Sequence, residues 1–76
     1  MEVVVYGRSN PHCQYCENIK ELLATRKVDY IYKDIADEDL FEEFLAKRLR
    51  TVPAVFVDGI FKGGFTESLE LFKESV

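Results

Sequence analysis

Two cysteines, Cys13 and Cys16, stand between an apolar run, Val3-Val4-Val5-Tyr6, and an amphipathic stretch from Glu17 to Lys27. No other feature of the chain limits its fold and chemistry so sharply. Where a strand gives way to a helix, side chains at i and i+3 share a face, so both sulfurs can join and part with little backbone movement. A bridge across so short a loop removes little entropy from the unfolded chain and would be a poor crosslink. In that setting the pair reads as a redox couple rather than a staple.

The rest of the composition narrows the class. At 76 residues the chain has room for one domain, taken here as residues 1–76. It lies near the size at which roughly 60% of the unfolded surface is buried on folding. Hydrophobic residues at 47% exclude a disordered chain, and 32% charged residues suit a soluble one. A net charge of -4 argues against nucleic acid as a partner, since that affinity comes from Lys and Arg on phosphates. The N-terminal residues lack the basic region and apolar stretch of a signal peptide, and no run approaches a membrane span. The expectation is a cytoplasmic protein with no membrane partner, where a Cys-x-x-Cys is more often catalytic or metal-binding than structural.

Residues 2–6, rich in β-branched Val, read as a strand buried on both faces and ended by Gly7. The loop from Arg8 to His12 carries turn chemistry, and Asn10-Pro11 is also able to begin a helix. Either way Cys13 falls at or near a helix N-terminus. Ile19, Leu22 and Leu23 recur at helical spacing up to Arg26-Lys27, whose charges suit the C-terminal dipole. Val28 to Lys33 alternates as a strand with one better-buried face. Strand, helix, strand in that order is a parallel, right-handed βαβ unit.

Asp37-Glu38-Asp39 opens a second helix with Leu40, Phe41, Phe44, Leu45 and Leu49 as its apolar side and Lys47-Arg48 at its end. Ala54 to Val57 and Ile60 to Lys62 flank Asp58-Gly59, a strong hairpin signal. Gly63-Gly64 breaks the last strand, and Thr66 is placed to cap a final helix turning Leu69, Phe72 and Val76 inward. The element order is βαβαββα, an α/β class.

With Cys13-Gln14-Tyr15-Cys16, Thr51-Val52-Pro53 and Gly63-Gly64-Phe65-Thr66-Glu67 set on that order, nearly the whole chain resembles a short dithiol glutaredoxin of bacterial and phage type. The resemblance implies a thioredoxin-like fold, a four-stranded mixed sheet with helices on both faces. It implies a monomer with no tightly bound cofactor and no metal, and glutathione as co-substrate. The activity implied is reduction of protein disulfides and of glutathione mixed disulfides, with ribonucleotide reductase one outlet for the electrons.

Carried over by residue, the resemblance makes Cys13 the nucleophile and Cys16 the resolving thiol. A thiol nearer the helix start is the better thiolate, because backbone N–H groups and the dipole favour its charge. Thr51 and Val52 would precede a cis Pro53, leaving the Val52 backbone free to bond the cysteinyl part of glutathione as a short strand. The alternative is Pro53 starting an edge strand in trans. Gly64, Phe65, Thr66 and Glu67 would receive the γ-glutamyl end, Thr66 meeting the carboxylate and Glu67 the ammonium. A plain helix cap after a turn is the other reading. Arg8 would supply positive charge and Tyr15 an aromatic wall. Arg48, Arg50 and Lys62 are further partners for carboxylates, or solvated charges. His12, the one histidine, reads as a solvated loop residue.

Two departures stand out. Gln14 occupies the place of the family's usual proline, so a backbone N–H is available there to a thiolate. The loop before Cys13 is longer than in most bacterial members, which loosens the alignment of Arg8. Two rival functions remain at this stage. A glutaredoxin-like carrier recharged by thioredoxin reductase would keep the fold, but such proteins carry a Gly-Phe-Arg-Pro type sequence where this one has Gly64-Phe65-Thr66-Glu67. A glutathione-assisted iron–sulfur module is the other, whereas one chain has too few Cys and His ligands for a structural zinc site.

Overall fold

A computed structural model of the chain describes residues 2–72. The sheet follows from alternation. Along β1 (Val3–Gly7), Val3 and Val5 face one side while Val4 and Tyr6 face the other, and both sides are covered. β1 lies between β2 (Ile31–Asp34), which runs parallel to it, and β3 (Ala54–Val57), which runs antiparallel. β4 (Ile60–Gly63) closes the edge through the expected Asp58-Gly59 hairpin, so the order is β2-β1-β3-β4. Asp58 and Gly59 both sit at positive φ, 52° and 83°. That is the conformation a tight hairpin of the right twist requires.

Helices cover both faces, as the resemblance implied. α1 (Gln14–Thr25) brings Ile19 and Leu23 onto Val3, Val5, Val55 and Val57, and Phe72 at the end of α3 (Phe65–Leu71) joins them. On the opposite face α2 (Glu38–Ala46) lays Phe44 against Tyr6, Ala54 and Phe56. Asp37 caps α2 by accepting the N–H groups of Asp39 and Leu40. The Tyr6 hydroxyl and Lys33 both donate to Glu43, which ties α2 to the sheet.

Several local expectations are corrected. Gly7 extends β1 instead of ending it, and a Cβ there would fall 2.7 Å from the Tyr32 ring. β2 begins at Ile31, three residues later than Val28, because the chain first completes a turn that ends α1. Lys27 takes φ 58°, its N–H returns to Ala24 O, and the Val28 N–H returns to Leu23 O. Arg48 does the same after α2, with φ 61° and bonds from Arg48 and Leu49 to Leu45 O and Phe44 O. Both helices therefore end in Schellman motifs with a basic residue in the left-handed position that usually holds Gly.

Thr66 does not cap α3. Gly64 is the N-cap, and the Glu67 carboxylate accepts its N–H at 2.8 Å. Leu69, expected inward, is 44% exposed, because α3 turns Phe65, Ser68 and the following Phe72 onto the core instead. Val76 lies outside the described residues.

Candidate active site

Cys13 is the N-cap of α1, in an extended conformation. Its sulfur takes the place that a Ser or Asp oxygen usually has, accepting the Cys16 N–H at 3.2 Å. Helical geometry then carries Cys16 round to the same face, with the two Cα atoms 5.2 Å apart and the sulfurs bonded. The two thiols are not equivalent. Cys16 is fully buried, while Cys13 keeps 6% of its surface, so Cys13 is the more accessible of the two to an incoming group. The N–H aimed at that sulfur belongs to Cys16; the sequence pointed to Gln14.

Three segments meet around one hollow, which α1 reaches through Tyr15, two residues after Cys13. Val52 and Pro53, joined by a cis peptide bond, lead into β3. No hydrogen bond among the described residues uses the Val52 backbone, so both its groups are open to a ligand. Gly63 and Gly64 let the start of α3 come close to this loop. Gly63 has φ 106°, and a Cβ on it would lie 2.8 Å from that of Glu67. A Cβ on Gly64 would lie 3.2 Å from the Pro53 carbonyl oxygen. The third segment is Tyr15, 61% exposed, whose ring lies 5.8 Å from that of Phe65.

Between them runs a cleft of about 140 Å3. Thr51, Val52 and Pro53 line one wall, Tyr15 stands at the helix side, and Gly64, Phe65, Thr66 and Glu67 line the other. Apart from Arg8 and the further cations Arg48, Arg50 and Lys62, every residue expected to bind glutathione lines this one hollow. The Glu67 carboxylate engages the Gly64 N–H and its own backbone N–H, which leaves the N–H groups of Phe65 and Thr66 in the first turn of α3 for a ligand. Those bonds, the one from Gly64 first, hold the Glu67 carboxyl below the usual glutamate range, so it keeps its charge.

Arg8 is placed elsewhere. Its Nε donates to Pro11 O at 3.1 Å, and it lines a second hollow that shares Thr51 and Val52 with the first. Ser9 donates to Asp34 and pins this loop to the end of β2; that bond, followed by the Ala36 N–H, lowers the Asp34 pKa. His12 is exposed, as expected, with Nε2 3.3 Å from Gln14 Oε1. Among the further cations expected, Arg50 lines the second hollow, Arg48 forms the turn after α2 and Lys62 lies on edge strand β4. No cluster of three or more His, Cys, Asp or Glu able to hold a metal occurs among the described residues.

The chemistry such an arrangement supports is exchange of one disulfide for another at Cys13. The fold and the cysteine pair thus define a thiol–disulfide redox protein of the thioredoxin-like class. The family model of glutaredoxin matches residues 3–62, and the chain belongs to the glutaredoxin family. It is 35% identical to glutaredoxin 1 of Escherichia coli (strain K12), covering 100% of this chain and 98% of that protein. Among solved structures, the glutaredoxin-like NrdH-redoxin of Escherichia coli superposes with a TM-score of 0.77 over 100% and 99% of the two chains. At 19% identity that likeness is one of fold. The buckwheat glutaredoxin–glutathione complex superposes with a TM-score of 0.73 at 27% identity, over 90% of this chain and 64% of that one.

Proposed function

We propose that the protein is a glutathione-dependent thiol–disulfide oxidoreductase acting as a monomer in the cytoplasm. The observation that carries this reading is the cleft at the start of α1, where Tyr15 of the Cys13-Cys16 motif faces Thr51, Val52 and Pro53 on one wall and the first turn of α3 on the other. In a substrate pose consistent with it, the cysteinyl backbone pairs with Val52 as a short added strand. The γ-glutamyl carboxylate meets the N–H groups at the start of α3, and its ammonium meets Glu67. A relative of this fold has been solved with glutathione, which supports the same ligand here.

The reaction begins from the reduced pair. A Cys13 thiolate, favoured by the Cys16 N–H and the helix start, attacks one sulfur of a target disulfide and releases the other as a thiolate. Cys16 then attacks the Cys13 sulfur, expelling the second target thiolate and closing the Cys13–Cys16 disulfide. Two electrons have moved from protein to target. One glutathione thiolate opens that bond, forming a mixed disulfide on Cys13 and freeing Cys16. A second takes the first away as oxidised glutathione. With glutathionylated substrates, Cys13 alone suffices. Protein disulfides, that of ribonucleotide reductase among them, are the proposed targets.

The test is to compare recycling of one preparation by glutathione with its reductase and by thioredoxin reductase. Turnover of a glutathione mixed disulfide driven by the first is expected. Recycling by the second alone would overturn the reading in favour of a carrier of the other kind.

A further inference from the structure

Thr51 and Val52 line two hollows. One is the cleft just described. The other, about 550 Å3, runs from the same two residues along α2, between Ile35, Phe41, Leu45 and Leu49. Phe41 and Leu45 lie one turn apart on the helix and are 42% and 52% exposed, while Phe44 beside them is buried. Arg8 and Arg50 also line this groove. Neither is in an ion pair among the described residues. The result is an apolar trough carrying two uncompensated guanidinium groups, in a chain whose net charge is -4.

Glutathione has only a glycine after its cysteine and cannot fill such a trough. A polypeptide continues. With the cysteinyl residue on the Val52 edge and the preceding residue toward α3, whatever follows the cysteine is directed across Thr51–Val52 and over α2. We infer that this groove receives the segment C-terminal to the disulfide cysteine of an extended polypeptide substrate. A bulky apolar side chain lies on Phe41 and Leu45, and a carboxylate of the same segment meets Arg8 and Arg50. The charge selects an acidic neighbour, and the uncharged walls select an apolar one. The direction of the peptide rests on the glutathione reading given above.

The experiment is single-turnover reduction of short peptide disulfides by the pre-reduced protein, which needs no glutathione. Peptides carry Leu or Ser at the first, second or third position after the cysteine, beside an Asp. At one of these positions Leu is expected to raise the second-order rate about tenfold over Ser, the order that covering one leucine-sized side chain supplies. Leu45→Ser and Phe41→Ser are each expected to remove most of that gain. Both should leave reduction of bis(2-hydroxyethyl) disulfide unchanged, which also shows that the variants fold. Leu placed before the cysteine should give no gain that depends on Leu45. Replacing the Asp by Lys should slow the reaction, and added salt should erase that difference.

Equal rates for Leu and Ser peptides in the parent protein would overturn the proposal, as would a gain that survives both substitutions. Failure of glutathione to recycle a protein that still shows the preference would remove the proposed co-substrate and leave the groove. Recycling without the preference would remove the groove alone.

Discussion

Cys13 and Cys16 share a bond but not an environment, and the difference assigns them separate tasks. Of the two residues only Cys13 keeps any exposed surface, whereas Cys16 is fully buried and bonded to it. Cys13→Ser is therefore expected to reduce every activity to background. Cys16→Ser should retain removal of glutathione from small mixed disulfides while losing reduction of protein disulfides. Parallel assays on the two variants check this, and equal losses would reverse the assignment.

Glu67 also has two tasks, capping α3 and facing the cleft. Its folded pKa lies below the usual glutamate value of 4.5 because it accepts the Gly64 N–H. The stability it adds is then complete above that value and lost as pH falls through the lower folded one. Glu67→Gln should flatten the acid limb of a urea-midpoint profile and raise KM for glutathione substrates more than it lowers kcat. At Ser68 the hydroxyl is buried with no partner among the described residues. Because an unpaired buried polar group costs about 1–3 kcal/mol, Ser68→Ala is expected to be neutral or stabilising by up to about 1 kcal/mol in urea unfolding.

At the scale of elements, the two helix ends teach most about reading charge. The basic residues after α1 and α2 suit the helix dipoles, yet Lys27 and Arg48 occupy the left-handed turn of a Schellman motif. A side chain in that conformation costs about 1–2 kcal/mol relative to Gly. Lys27→Gly and Arg48→Gly should each raise stability by about 1 kcal/mol, read as a shift in urea midpoint with unchanged slope. Tyr32 on β2 belongs to the same scale. Burial, then the nearby Asp34 carboxylate, pushes its phenol up to about 12. A raised folded pKa means that stability is whole below the ordinary tyrosine value of 10.0 and lost as pH rises toward the folded one. Tyr32→Phe should remove a late step from the phenolate absorbance titration.

For the whole molecule, both core layers share β1 and β3, so neither layer can open without exposing the inner strands of the sheet. One cooperative transition is expected, with coincident curves by circular dichroism and by tyrosine fluorescence. Leu23 is fully buried in the layer beneath α1 and α3. Leu23→Ala should cost about 3 kcal/mol, a large share of the roughly 5–15 kcal/mol available to a small domain.

The apolar runs Val3–Tyr6 and Ala54–Val57 were enough to mark two strands of the sheet, because strand preference is local. The Asp58-Gly59 turn, the helix after Cys13 and the pairing of two thiols at its start were legible for the same reason. So was the gathering of Val52 and Thr66 into one site, once the family pattern was seen. The bonding of the Gly64 N–H to Glu67, the left-handed turns at Lys27 and Arg48, and the exposure of Phe41, Leu45 and Leu69 were not legible. Each depends on how closely one element approaches another, and on where the chain must turn to let it. A helical apolar stripe reads the same whether its partner covers all of it or half, so only the packed structure shows that α2 leaves a groove open and that Arg8 lies there rather than in the cleft.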